Sequence, residues 1–411
     1  MFLSRLKNKK EVISWSLYDF ANQPFTTIIV TFVYGAFFTS VIASDENTGT
    51  FLWTLGISIT AIIVALLSPI LGALADKGGY RKFFLILFTW ICAIFSILLY
   101  FPKSGDVFFA LSLFVIANIA FEMGTVFCNS YLSDLSDEKN IGKISGFAWG
   151  IGFVGGLIAL FLSLSLFELN SVGIRRINIL VGVWFLIFSI PTFLFVKDRK
   201  KEKLTKKHFT DSFSSIKTTF KEVVKYRIIM RFLIARLFFN DGLITIFSLG
   251  GIYAVDTLDF SFDEVMMLGI VLNIAAGIGS FIFGYLEDLI GVKKVINISL
   301  VVLIFSTLLA FVAPYFIFKK DIFWIAGVLI GLMVGPNQSC SRSLMAKLTP
   351  KEKQNEFFGF FALTGKATSF LGPILFGIIT FLFSQQIALW VVIVFFLLGL
   401  YLFNKIDFEN E

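Results

Sequence analysis

Gly72-Ala-Leu-Ala-Asp76-Lys-Gly-Gly79-Tyr-Arg81-Lys82 and Gly284-Tyr-Leu-Glu-Asp288-Leu-Ile-Gly291-Val-Lys293-Lys294 are two copies of one pattern, 212 residues apart. Glycine, aspartate, glycine and paired bases hold equal places in both, and each copy follows a long apolar run. Gly146-Phe147 and Gly152 recur as Gly359-Phe360 and Gly365, at an offset of 213. A repeat in register at three places points to two corresponding halves, the construction expected of carriers that rock about a central site.

The surrounding composition belongs to lipid. Of 411 residues, 57% are hydrophobic and 15% charged, and the mean hydropathy is +0.86. Soluble domains carry roughly 25% charged residues. Long apolar runs bounded by charge or turn residues predict twelve helices, at 13–43, 51–75, 83–101, 107–133, 144–167, 178–196, 228–255, 265–286, 295–318, 322–346, 357–383 and 387–403. Helix is forced, because backbone in hydrocarbon must satisfy its own hydrogen bonds. The expected fold is all-α and integral to the membrane: two pseudo-repeated six-helix bundles, residues 1–196 and 228–411, joined by a linker at 197–227.

Charge sets the expected orientation. Of 35 Lys and Arg, 26 fall in the tails and loops on the side of both termini; Lys103, Arg175, Arg176, Lys319 and Lys320 fall opposite, and four lie within spans. The positive-inside rule then puts both termini in the cytoplasm. The net charge of +7 is a topology signal and not a nucleic-acid footprint. Met1 to Glu11 is short and basic, but the apolar run behind it is too long for a signal peptide, so it reads as a retained first span. In the linker Phe209, Phe213, Ile216, Phe220 and Val224 recur at helical spacing among lysines, which predicts an amphipathic helix lying on the membrane surface.

Charge inside a bilayer is costly, so its location is informative. Spans three, six, nine and twelve contain no Asp, Glu, Lys or Arg. Spans one, four, seven and ten do, and so does span eleven. Span one carries Asp19, Asn22 and Gln23; span four lines up Asn118, Glu122, Thr125 and Asn129 along one face. Span seven has Arg236 beneath Asn240 with Asp241 beside it; span ten has Asn337, Gln338, Ser341 and Arg342; span eleven has Lys366. All of these except Thr125 and Ser341 are the expected substrate-pathway residues. Three roles stay open for Glu122: proton-coupling carboxylate, contact for a cationic group, or fixed partner of Arg236 or Lys366. Arg342, near the end of its helix, either joins the pathway or snorkels to the interface.

Three cysteines in apolar stretches without a CxxC spacing, and one histidine in a polar stretch, leave little material for a disulfide framework or a metal site. No nucleophile–base pair is visible. Neither enzyme chemistry nor a cofactor is expected.

The Gly-x-x-x-Asp-x-x-Gly-x-basic-basic pattern between two spans resembles the loop signature of the major facilitator superfamily. That resemblance implies that Gly72, Asp76 and Arg81, with Gly284, Asp288, Lys293 and Lys294, form a cytoplasmic gate that latches and releases. It also implies that the first helix of each triplet lines the cavity and the third faces lipid. A closer likeness lies in Trp15-Ser-Leu-Tyr-Asp-Phe-Ala-Asn22, Phe239-Asn-Asp-Gly242, Ser341-Arg-Ser-Leu344, Glu356-Phe-Phe-Gly-Phe360 and Gly365-Lys-Ala-Thr-Ser-Phe-Leu-Gly-Pro373. These resemble the vacuolar-effluxer-like branch of the superfamily, whose fungal members export amino acids from the vacuole. Gln23-Pro24 departs from the small residues the branch more usually has there, so the first helix is expected to kink differently. The short loops look bacterial.

The expected function is a secondary active transporter of the bacterial inner membrane, working as a monomer among membrane lipids by alternating access. Its small-molecule partner on this reading is an amino acid, moved with or without proton coupling. The rival readings are a facilitator of a sugar, drug or organic anion, and a non-transporting receptor on the same scaffold.

Overall fold

The computed structural model describes residues 8–43, 46–137, 139–168, 170–198, 226–366, 368–369 and 371–407. The amphipathic helix expected around Phe209 to Val224 lies outside these residues.

Twelve helices among the described residues are long and apolar enough to cross a membrane. The first six are Lys9–Ile42, Leu52–Asp76, Arg81–Leu98, Val107–Leu135, Ile141–Leu166 and Ser171–Phe195. The second six are Arg227–Leu258, Met267–Ile290, Val292–Tyr315, Lys319–Leu348, Lys351–Leu382 and Gln385–Asn404. Each matches one expected span. Large apolar side chains such as Leu66, Phe161, Leu194 and Phe381 are exposed along them, a surface that only hydrocarbon would cover at no cost.

Spans one and eleven are not uninterrupted α-helices, and in span one the change comes at Gln23-Pro24, where a different kink is expected. Span one is α-helical over Lys9–Pro24 and then π-helical over Phe25–Phe32 and Phe38–Ile42. Pro24 has no amide hydrogen to donate, so the ladder is released where Gln23-Pro24 stands, and the wider turn re-aims the residues after it. Span eleven is broken: one helix ends at Lys366 and the next starts at Leu371, with Thr368 and Ser369 in a turn between them. Its apolar run hid the break, because hydropathy does not register where hydrogen bonding stops.

The chain forms two compact units. One comprises Met1–Ser136, Ile151–Ile216 and Pro350–Leu363; the other comprises Asp137–Gly150, Lys217–Thr349 and Thr364–Glu411. In the first, span one is seated by polar pins at successive turns. The Trp15 indole donates to the Cys128 carbonyl at 2.8 Å, and Tyr18 shares a 2.8 Å hydrogen bond with Thr89. Trp184 donates to the Phe20 carbonyl at 3.2 Å, and Phe25 stacks on Phe121 at 5.0 Å between centroids. In the second, span seven packs along span twelve, span eight along span ten, and span nine along span ten.

Candidate functional site

The repeated pattern builds the same object in each unit. In the first, the Asp76 carboxylate receives the start of the helix beginning at Gln354. Its Oδ1 accepts from the Asn355 amide at 3.2 Å and from Asn355 Nδ2 at 2.6 Å, and its Oδ2 from the Glu356 amide at 2.9 Å. In the second, Asp288 receives the start of the helix beginning at Ile141. Its Oδ1 accepts from the Gly142 amide at 2.9 Å and its Oδ2 from the Lys143 amide at 3.0 Å, with Lys143 Nζ 3.5 Å away. The first amides of a helix lack internal partners and sit at the positive end of its dipole, so a carboxylate there satisfies both. The two receiving positions, 142–143 and 355–356, are themselves 213 apart.

Close approach of backbones makes these caps possible. A side chain on Gly72 would place its Cβ 2.5 Å from the Asn355 carbonyl oxygen, and one on Gly359 would place it 2.6 Å from that of Ser68. In the other unit, a Cβ on Gly146 would lie 2.3 Å from the Ser280 carbonyl oxygen, and one on Gly284 would lie 2.9 Å from that of Gly142. Ser68-x-x-x-Gly72-x-x-x-Asp76 and Ser280-x-x-x-Gly284-x-x-x-Asp288 are therefore one stripe of small residues ending in an acid, on one face of a helix. Ser68 and Ser280 were not singled out from sequence, although they share the repeat's offset of 212 and the four-residue spacing. After the acid the backbone turns left-handed at Gly79, φ 62°, and Gly291, φ 91°, the conformation glycine tolerates best.

The basic residues of the pattern do a different job. Arg81 is buried; it donates to the Ser130 carbonyl at 2.8 Å, pairs with Asp134 at 2.5 Å and Asp198 at 3.9 Å, and lies on the Tyr131 ring. Lys82 Nζ donates to the Val196 carbonyl at 2.9 Å, and Lys293 Nζ to the Ile406 carbonyl at 2.6 Å. A cation thus takes up the orphan carbonyls past the end of spans six and twelve. Lys294 is exposed. Ser130 Oγ bonds Asn355 Oδ1 at 2.6 Å, linking the Arg81 network to the Asp76 cap.

The polar residues within spans assemble separately in each unit. In the first, Asn22 and Asn118 are buried while Asp19, Gln23, Glu122 and Asn129 are half-buried. Glycines bring span five onto this stretch: a Cβ on Gly152 would lie 3.2 Å from the Asp19 carbonyl oxygen, and one on Gly156 would lie 3.0 Å from Gln23 Cγ. In the second, three spans converge. Asn240 donates to the Gly365 carbonyl at 3.1 Å, Gln338 to Asn240 Oδ1 at 3.3 Å, and Thr368 to Asp241 Oδ1 at 3.1 Å. Arg236 is buried against Gly365, whose added Cβ would lie 3.1 Å from a guanidinium nitrogen. Lys366 is half-buried at the end of the half-helix. Asn337 turns away and donates to Ser299 at 3.0 Å. Arg342 is 2% exposed and does not snorkel: it holds span five through the Ser145 hydroxyl at 3.0 Å and carbonyl at 2.7 Å.

The family profile described as "Vacuole effluxer Atg22 like" matches residues 43–411. The chain belongs to this family. It is 28% identical over 417 residues to an uncharacterized major-facilitator-type transporter, YxiO, of Bacillus subtilis, covering 98% of this chain and 96% of that one. It is 24% identical over 451 residues to autophagy-related protein 22 of Yarrowia lipolytica, covering 87% and 75%. Among solved structures, the human organic anion transporter MFSD10 gives a TM-score of 0.75 at 14% identity, covering 97% and 99%. The major facilitator transporter FucP in the outward conformation gives 0.74 at 13%, covering 97% and 98%. These likenesses show the major facilitator fold, and the chain is a multi-pass membrane transporter, not an enzyme.

Proposed function

We propose that the protein is a secondary active exporter of amino acids, working as a monomer in a bacterial inner membrane with both termini in the cytoplasm. The observation that carries the transport mechanism is the pair of carboxylate caps. Each uses an acid of one sequence half to hold the first turn of a helix from the other half, and hydrogen bonds of this kind can be broken and remade in every cycle. Asp76 and Asp288 are the latch, and Gly72, Gly284, Gly146 and Gly359 make it fit. The polar surfaces of spans one and four, and those of spans seven, ten and eleven, meet the solute. Support for an amino acid comes from the family likeness and from the two signs of charge on these surfaces.

The test is counterflow in proteoliposomes loaded with a mixture of amino acids, with and without a pH gradient. Saturable exchange of an amino acid supports this reading. Movement of a sugar or an organic anion instead would replace the cargo, and flux of nothing with recovery of a bound protein partner would replace transport itself. Within this frame Glu122→Gln should lower the initial rate about tenfold or more, the cost of one lost charge-assisted contact of ~1.4 kcal/mol. Unchanged flux and unchanged pH dependence would remove Glu122 from the pathway.

A further inference from the structure

The start of span seven and the end of span twelve frame a cleft of about 350 Å³ lined by Arg231, Ile234, Leu402 and Lys405. Arg227, Arg231 and Ile234 share one face of span seven. Leu398 and Leu402 share one face of span twelve, and Lys405 continues it just past the last helical residue, Asn404. The mouth of the cleft is therefore cationic, and the spans leading away from it are apolar. Ile234, Leu398 and Tyr401 are exposed there.

These cations are not used up inside the protein. Arg231 is exposed and pairs with no acid among the described residues. Lys405 is exposed too and lies over the Tyr401 ring at 4.3 Å. Asp407, two residues on, forms no ion pair with it. A cation could serve the carbonyls that end span twelve, but Lys293 Nζ already does so, 2.6 Å from the Ile406 oxygen and 3.4 Å from that of Asn404. Arg227 stands one turn from Arg231, and like charges at that spacing repel. An anion at the mouth would relieve this. Guanidinium and ammonium groups hold a phosphodiester by charge-assisted hydrogen bonds. The apolar faces decide between a lipid and a free phosphate, because a soluble anion has no use for Ile234 and Leu398, whereas acyl chains cover them.

We propose that this cleft binds one anionic phospholipid, its phosphate on Arg231 and Lys405 and its chains along Ile234 and Leu398, clipping the start of span seven to the end of span twelve. The site does not depend on which solute is carried. Native mass spectrometry of the full-length protein in detergent, titrated with dioleoyl phosphatidylglycerol or dioleoyl phosphatidylcholine, counts the bound lipid. One phosphatidylglycerol should be retained at concentrations where phosphatidylcholine is not. Arg231→Gln/Lys405→Gln should weaken that binding about thirtyfold, and Lys405→Gln alone about fivefold. Lys9→Gln/Lys351→Gln takes the same charge from exposed positions outside the cleft and should leave binding unchanged. Equal binding of the two lipids, wild-type affinity in the double cleft variant, or an equal loss in the outside pair overturns the proposal. So does displacement of the lipid by an equal concentration of inorganic phosphate, which would make this a site for free phosphate. Binding that appears only once residues 408–411 are removed would give the cleft to the chain's own acidic end, and overturns it as well. Should the double cleft variant fold poorly, Lys405→Gln decides: a fivefold loss supports the site and an unaltered affinity overturns it.

Discussion

Gly146→Leu and Gly359→Leu are each expected to lower the thermal midpoint by several degrees and to slow transport about tenfold or more, whereas Gly377→Ala leaves both intact. The reason is what an added side chain meets. At Gly146 a Cβ falls 2.3 Å from the Ser280 carbonyl oxygen and 2.7 Å from Gly284 Cα; at Gly359 it falls 2.6 Å from the Ser68 oxygen and 2.9 Å from Pro69 Cα. All four are backbone atoms, which yield only if the whole helix moves. Overpacking of this kind costs ~1–3 kcal/mol, and here it also withdraws the helix start from its aspartate. At Gly377 nothing lies within 4 Å, so alanine there gains up to about 1 kcal/mol of helix propensity. Differential scanning fluorimetry with counterflow reads both effects. Equal behaviour of the three variants would mean that the crossings tolerate separation, and the glycine repeat would lose its functional meaning.

Hydropathy and the repeat made the twelve spans legible, because lipid demands long apolar helices and leaves few alternatives. The aspartates of the repeat were legible for a related reason: an acid at a helix end on the basic side has few purposes. What their bonds reach was not, since Asn355, Gly142 and Lys143 lie 145 or more residues away and no local rule selects them. The resemblance to the superfamily implied that Arg81 and Lys293 are members of the latch, yet each side chain turns to the end of a neighbouring span. The break in span eleven hid inside a stretch whose small residues suit a helix as well as a turn. Glu287 escaped notice because its counterpart in the first copy is Ala75.

That difference makes the two caps unequal. Glu287, 1% exposed, accepts from Ser343 at 2.5 Å and Lys347 Nζ at 3.0 Å. It sits against the same helix start that Asp288 caps, since a Cβ on Gly142 would lie 2.7 Å from its side chain. Arg342 ties Ser145 one turn further along. The first cap has Ser130 on Asn355, and its ion pairs, Arg81 with Asp134 and with Asp198, reach it only through the Ser130 carbonyl. Loosening should begin at Asp76.

Asp76→Asn is therefore expected to open its cap more than Asp288→Asn opens the other. Asparagine keeps the shape of aspartate but turns one acceptor into a donor, which then faces amide hydrogens. Of the three charge-assisted hydrogen bonds, the two to Oδ1 become neutral at best and the one to Oδ2 becomes a donor–donor conflict, a loss of ~2–4 kcal/mol at Asp76. Asp288→Asn breaks the corresponding pair, but the bonds of Arg342 to Ser145 still hold the same helix. The protein contains its own reporters. Cys128 is buried two residues before Ser130, whose hydroxyl meets Asn355, and Cys340 is buried where its carbonyl accepts the Ser343 hydroxyl. Labelling by a membrane-permeant maleimide should rise at least about tenfold at Cys128 in Asp76→Asn. At Cys340 it should rise less in Asp288→Asn, and substantially only when Glu287→Gln is added. Each substitution should leave the other cysteine protected. Equal increases at both cysteines from either single change would make the two caps one cooperative unit and end the claim that they open in order.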